Sequence, residues 1–145
     1  MIKIISKRPA ETRGLGQSLG SKLHGGEILA LSGPLGSGKT TFLKGLARGL
    51  GIKKKITSPS FVLGKPYTFG KRGQKILFHF DLYRLTKRAD LAELGLTEIF
   101  SNPRAITAIE WPEKARTTLP RRTILIKFAP GQDQNERIIW LKKYF

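Results

Sequence analysis

The sequence predicts a phosphate-loop α/β fold: a mainly parallel central sheet, helices on both faces and antiparallel strands at the edge. Three observations predict it. The stretch Gly33-Pro34-Leu35-Gly36-Ser37-Gly38-Lys39-Thr40 satisfies GxxxxGK[S/T]; the apolar run Glu27–Ser32 leads into it from the turn signal Gly25-Gly26; and a helical stretch from about Lys39 to Leu50, stopped by Gly51, leads out of it. Strand, glycine loop and helix stand in the order that a phosphate cradle requires, which a chance glycine-rich turn would not. Glycines let the backbone N–H groups of residues 36 to 40 turn inward, and the helix N-terminus adds a partial positive charge. In such a cradle Gly36, Ser37 and Gly38 wrap the phosphates and Lys39 reaches the β- and γ-phosphates. Thr40 offers its hydroxyl to Mg²⁺, and Thr41 is placed for the α-phosphate.

The remaining elements follow from periodicity. Ile2–Ile5 reads as a first strand, and after Pro9 the residues Leu15, Leu19 and Leu23 recur every fourth position, as one buried helical face requires. Beyond the phosphate-loop helix, short runs at Phe61–Leu63 and Tyr67–Phe69, the turn Gly70–Gly73 and the strand Lys75–Phe80 predict a β-hairpin. Asp90–Phe100 has helical spacing despite Gly95, and Ala105–Ile109 is a second buried strand. The tail alternates over Thr123–Phe128 and Arg137–Leu141 around Gly131, an antiparallel pair in which Trp140 is expected in the core. There is no repeat, linker or low-complexity segment.

The 145 residues suit one domain spanning 1–145, with no room for a second catalytic module. No apolar run is long enough to span a bilayer, and Met1–Ile5 is followed by charge rather than by a signal-peptide core, so a cytoplasmic protein with no membrane association is expected. The absence of cysteine excludes disulfides, thiolate metal sites and cysteine nucleophiles, leaving Mg²⁺ as the metal to invoke. Lys and Arg number 27 against 10 Asp and Glu, a formal charge of +17. That excess fits either a solvated cationic surface or a polyanionic partner such as RNA. Its clusters at Lys53–Lys55, Lys71-Arg72, Arg121-Arg122 and Lys142-Lys143 are spread rather than gathered into a tail.

Hydrolysis needs a carboxylate near the metal as well as a cradle. Glu110 follows directly on the strand Ala105–Ile109, at the strand end where α/β sheets place their ligands; the alternative is an ordinary strand-end carboxylate. Asp81 closes Ile76–Phe80 in the same fashion and is either a second holder of Mg²⁺ or its water shell, or a turn cap. Thr57 and Ser60 lie in the hydroxyl-rich loop Thr57–Phe61, where phosphate-loop proteins carry γ-phosphate switches, although a plain Ser-Pro turn has the same local chemistry. His79, on an apolar strand, reads as a structural histidine without a catalytic role, and Trp111, beside Glu110, reads as the rim of the site.

Taken together, Gly33–Thr41, Thr57–Phe61, His79-Phe80-Asp81-Leu82-Tyr83-Arg84-Leu85, Glu93-Leu94-Gly95 and Ile109-Glu110-Trp111-Pro112-Glu113 resemble, in order and over nearly the whole chain, the bacterial TsaE (YjeE) family. The resemblance implies a small ATPase required for N6-threonylcarbamoyladenosine, the modification beside the anticodon of tRNAs that read codons beginning with A. It further implies action with a TsaB-TsaD heterodimer in which TsaD is the transferase. Carried over by motif, Thr40 and Glu110 are Mg²⁺ ligands, Lys39 is the phosphate clamp, Asp81 is the second acidic residue required for hydrolysis, and Thr57–Phe61 is the switch. Glu11 and Thr12 are expected beside the adenine, and Arg137 near the nucleotide. The family's usual GDLGAGKT is here GPLGSGKT, its TSPT is Thr57-Ser58-Pro59-Ser60, and an often acidic stretch is Gly64-Lys65-Pro66.

Three other readings compete. A small-molecule kinase would need an Arg-rich lid segment, which is not found, and a GTPase would need NKxD and DxxG motifs, which are absent. A basic RNA-binding module whose affinity is switched by nucleotide predicts steep salt dependence with little hydrolysis.

Overall fold

The computed structural model describes residues 1–59 and 63–143; the predicted run at Phe61–Leu63 and the switch residue Ser60 therefore fall wholly or partly outside the described residues. One seven-stranded sheet has the order β1-β7-β6-β2-β5-β4-β3. Its strands are β1 (Ile2–Ser6), β2 (Ile28–Ser32), β3 (Gly64–Phe69), β4 (Lys75–Asp81), β5 (Ala105–Glu110), β6 (Ile124–Pro130) and β7 (Arg137–Lys143). The four central strands β6, β2, β5 and β4 run parallel, while β3 joins β4, and β7 joins both β6 and β1, in antiparallel fashion. The predicted hairpin and terminal pair are both present, and the N-terminal strand adds a third member to the latter.

Strand burial matches these positions. β5, flanked on both sides, is buried at every residue, whereas edge strand β3 tolerates Pro66, whose missing N–H would break a central ladder. The sheet carries two cores. On one face, helices α1 (Pro9–Gly20) and α2 (Lys39–Gly49) bury Leu15, Leu19, Phe42, Leu43 and Leu46 against Leu29, Leu31, Leu77, Ile106, Ile126 and Phe128. On the other, α3 (Arg88–Glu93) packs Leu91, and α4 (Leu96–Phe100) Leu96 and Phe100, against Ile28, Phe80 and Ile109.

The single helix expected over Asp90–Phe100 is two. Gly95 adopts φ 65°, a left-handed conformation that ends α3 and starts α4, so the uninterrupted apolar spacing concealed a turn. Trp140 is a second correction. It alternates with the buried Ile139 and so faces away from α1 and α2, on a part of the sheet to which the second core contributes no strand residue; it is only half-buried. The pair Arg121-Arg122 also divides, because Arg122 donates to the carbonyls of Gly26 and Phe100 and so ties the entry of β2 to the end of α4.

Helices α1 and α2 cross almost backbone to backbone. A Cβ at Gly16 would lie 2.1 Å from the Phe42 carbonyl oxygen, at Gly20 2.3 Å from that of Leu46, at Gly45 2.0 Å from that of Arg13, and at Gly49 2.2 Å from that of Gln17. Each helix thus presents two glycines four residues apart to the other. Gly45→Ala would gain up to about 1 kcal/mol in helix propensity but would force apart two main chains, an overpacking cost of about 1–3 kcal/mol or more. Net destabilisation is the expected result, read as a lower midpoint of urea unfolding; an unchanged or higher midpoint would show that the crossing is looser than described.

Candidate nucleotide site

Ligand sites of parallel sheets gather where the strands end, and three strands end together here. The loop after β2 carries the phosphate motif. In it Gly33 has φ 149°, and a Cβ there would lie 2.5 Å from the Phe128 carbonyl oxygen, so only glycine lets the chain leave β2 beside β6. Gly38 has φ 101° at the N-cap of α2; the first backbone bond of that helix runs from Phe42 N–H to the Gly38 carbonyl at 2.9 Å. The N–H groups of Lys39, Thr40 and Thr41 therefore precede the i→i−4 ladder and remain for a ligand at the helix N-terminus. Ser37 Oγ is buried with no hydrogen-bond partner, an orphan of the kind that a bound phosphate oxygen would satisfy.

Alternation along the strands puts the acidic residues on the same face as this loop. Leu77, His79 and Asp81 share a face of β4, as Ile106, Ala108 and Glu110 share one of β5, and Leu77, Ile106 and Ala108 pack into the α1/α2 core. Asp81 and Glu110 are direct neighbours in the parallel register. Thr12, Gly36, Ser37, Gly38, Lys39, Thr40, Thr41, Asp81, Glu110 and Arg137 line one cleft, joined by Ser58, Tyr83, Trp111 and Asn135.

Within the cleft Lys39 is 5% exposed, and its Nζ donates to the carbonyls of Gly33 and, at 3.0 Å, Pro34. Burial lowers its pKa from the ordinary lysine value, with Glu110, Asp81 and Glu113 acting in the opposite direction. The ammonium also lies 4.7 Å from the Trp111 ring centroid. Trp111 has φ 59°, a left-handed conformation that costs a bulky residue about 1–3 kcal/mol and that concentrates at functional sites. Its ring packs on Tyr83 at 4.9 Å, so the strained turn after Glu110 closes one wall around Lys39.

Glu110 is 4% exposed, and its Oε2 meets Nε2 of the 1% exposed His79 at 2.8 Å. Sequence reasoning missed this partnership. His79 orients the carboxylate from within the sheet, a positioning role rather than contact with the cleft. The sequence shows that His79 and Asp81 alternate onto one strand face, but not that Glu110 lies beside it; that follows from the β4–β5 register. Asp81 Oδ1 accepts the Tyr83 N–H at 3.1 Å, so the turn-cap reading of Asp81 and its place in the cleft hold together.

The other expected residues are placed unevenly. Thr12 shares a 2.7 Å hydroxyl–hydroxyl hydrogen bond with Ser6, and its methyl, like the Arg137 stem, lies close to Gly38. Arg137 is braced by the carbonyls of Gln134 and Glu136. Glu11 turns to the start of α1, where it accepts the Lys7 N–H at 2.7 Å and pairs with Arg8 at 3.4 Å, and it is not among the residues lining the cleft. Thr57 also stands off it: its hydroxyl takes a 3.1 Å bond from Lys65 Nζ, whereas Ser58, among the described residues of that segment, reaches the lining. Among the described residues no group of three or more His, Cys, Asp or Glu could hold a metal by itself. Two carboxylates and a threonine hydroxyl suit Mg²⁺ instead, which keeps waters and takes further ligands from substrate phosphates.

A sequence model for the family described as threonylcarbamoyl adenosine biosynthesis protein TsaE matches residues 6–139. The chain belongs to the TsaE family. It is 36% identical over 137 residues to the tRNA threonylcarbamoyladenosine biosynthesis protein TsaE of Treponema pallidum, a match covering 94% of this chain and 98% of that one. The TsaE protein of Bacillus subtilis is 38% identical over 130 residues, or 88% of this chain and 78% of the relative. The crystal structure of Bacillus subtilis YdiB superposes with a TM-score of 0.80 at 30% identity, covering 99% of this chain and 86% of that one. The fold and phosphate loop are those of a TsaE-type nucleotide-binding protein, as the sequence resemblance implied.

Proposed function

We propose that this chain binds ATP with Mg²⁺ and hydrolyses it, as the accessory ATPase of threonylcarbamoyladenosine formation on tRNA, working in the cytoplasm with a TsaB-TsaD heterodimer. Family membership supports the tRNA modification. The observation that carries the ATPase reading is the register that sets Asp81 beside Glu110 at the edge of the phosphate cradle. Lys39 serves as phosphate clamp, donating to the polyphosphate the hydrogen bonds it otherwise gives to Gly33 and Pro34. Thr40 and Glu110 would hold Mg²⁺ and Asp81 its water shell; bound there, the ion would neutralise charge developing on the phosphates. His79 fixes one oxygen of Glu110 and leaves the other for the ion. Thr12 and Arg137 both lie beside Gly38, which supports their proposed place near the nucleoside. Thr57, held by Lys65, and Ser60 belong to the segment proposed to sense the γ-phosphate. Among the described residues no helix is long and apolar enough to cross a membrane.

The test is Mg²⁺-dependent ATP hydrolysis by the chain alone and with TsaB, TsaD and tRNA, scoring threonylcarbamoyladenosine in parallel. Turnover that rises with the partners and drives repeated rounds of modification is expected. ATP binding without partner-stimulated hydrolysis or modification would replace the accessory ATPase with a nucleotide-switched RNA binder.

A further inference from the structure

Helices cover only part of the sheet. On the face away from α1 and α2, the second core draws strand residues from β2, β4 and β5 but none from β1, β6 or β7. What those three strands present there follows from register. Lys3 of β1, Trp140 of β7 and Lys127 of β6 form one cross-strand row, and Ile5, Ile138 and Ala129 form the next. Lys3 and Lys127 are exposed, Ile5 is 52% exposed, and Trp140 is half-buried with Lys127 Nζ 6.0 Å from its ring centroid. The segments Ile2–Ser6, Ile124–Pro130 and Arg137–Lys143 contain no Asp or Glu, although they contain four lysines and Arg137. Two acidic side chains border it: Glu113 is bonded to Ser32, and Glu136, just before β7, accepts the Gln132 N–H at 3.2 Å.

We propose that this open face is an RNA-docking surface that receives the unpaired loop of a structured RNA, with Trp140 as a base-stacking platform between Lys3 and Lys127. The proposal rests on the tRNA reading above and assigns it a location. Adjacent strands lie about 4.8 Å apart, so the two ammonium-bearing chains flank the indole across about 10 Å. That arrangement offers a π face to a splayed base and cations to the phosphates on either side of it. Charge complementarity favours a polyanion, and the central ring favours RNA with unstacked bases over duplex or over an acidic protein surface, neither of which would need it. A base arriving over Trp140 takes the place of Lys127 Nζ, which is then free to move to a phosphate.

The experiment measures binding of a labelled anticodon stem-loop RNA, and of a fully paired duplex of the same length, across a salt series. Lys3→Glu/Lys127→Glu is compared with Lys53→Glu/Lys54→Glu, which changes net charge equally in an exposed run elsewhere. The sheet-face pair is expected to weaken hairpin binding at least tenfold and to lower the salt slope by about 1.4, about 0.7 for each lost phosphate contact. The comparison pair should cost several-fold less. Trp140→Leu should cost about tenfold with the slope unchanged, and Trp140→Phe should recover most of it. Equal losses from the two charge reversals, or a Trp140→Leu protein that binds hairpin like wild type and no better than duplex, would overturn the proposal and reduce the face to a general cationic or acidic-protein surface. ATP hydrolysis measured in the same samples keeps the two readings apart. Hairpin binding through this face without partner-stimulated hydrolysis defeats the ATPase reading alone, whereas stimulated hydrolysis with hairpin binding indifferent to these residues defeats the docking surface alone.

Discussion

Lys39→Met is expected to weaken ATP binding by about a hundredfold or more while leaving the unfolding midpoint at neutral pH unchanged or raised. The two effects have one cause. The ammonium is held in a buried position that disfavours its charge, offset in part by Glu110, Asp81 and Glu113, and methionine keeps the packing against Trp111 without the charge. A residue that costs stability where it stands is explained by what it does for a ligand. The sign with pH follows from the lowered pKa. Between that folded-state value and the ordinary lysine value of 10.5 the unfolded chain binds more protons, so wild-type stability rises with pH across that window relative to the variant; below it the two curves run parallel. Isothermal titration with ATP and urea unfolding at several pH values check both parts. ATP affinity within a few-fold of wild type would move the phosphate site elsewhere.

Glu110→Gln should separate binding from hydrolysis. The cradle is built from the loop and the first turn of α2, and Glu110 comes from another strand, so nucleotide affinity in the absence of metal should change by only a few-fold. Mg²⁺-dependent hydrolysis should fall by about 100- to 1,000-fold, because the amide cannot supply the negative oxygen that the ion needs. His79→Gln, which alters the support of Glu110 and not the carboxylate, should act in the same direction with a smaller loss and a raised Mg²⁺ requirement. Single-turnover hydrolysis over a Mg²⁺ titration distinguishes these outcomes; undiminished hydrolysis by Glu110→Gln would transfer the metal role to Asp81.

The phosphate loop, both strand-end carboxylates and the helix pair were legible because each is written locally, as a spacing or as an apolar run with a charge at its end. What stayed hidden depends on contacts between distant segments. The His79–Glu110 bond crosses 31 positions and two parallel strands, and a histidine on an apolar strand carries no mark of its partner. Alternation around Trp140 gave a two-sided strand without saying which side a helix would cover. Gly95 was absorbed into a helical pattern that its left-handed backbone interrupts. The paired glycines Gly16/Gly20 and Gly45/Gly49 stood in plain sight as two four-residue spacings, yet only the fold shows that they face each other.

That crossing decides which parts of the molecule can move in the proposed nucleotide cycle. Helices slide past one another when a layer of side chains between them can change rotamers, and between α1 and α2 main chain meets main chain with no such layer. Thr12 and the phosphate loop are therefore carried on one rigid block, and under the proposed ATPase reading the difference between ATP and its products leaves the site by another route. Among the described residues that touch the cleft without belonging to that block are Ser58, in the segment tethered by Lys65 and Tyr67, and the strained turn at Trp111 with its partner Tyr83. A hydrolysis signal meant for a partner protein would emerge there, on the side of β4 and β5, while the helix pair holds still as its fulcrum.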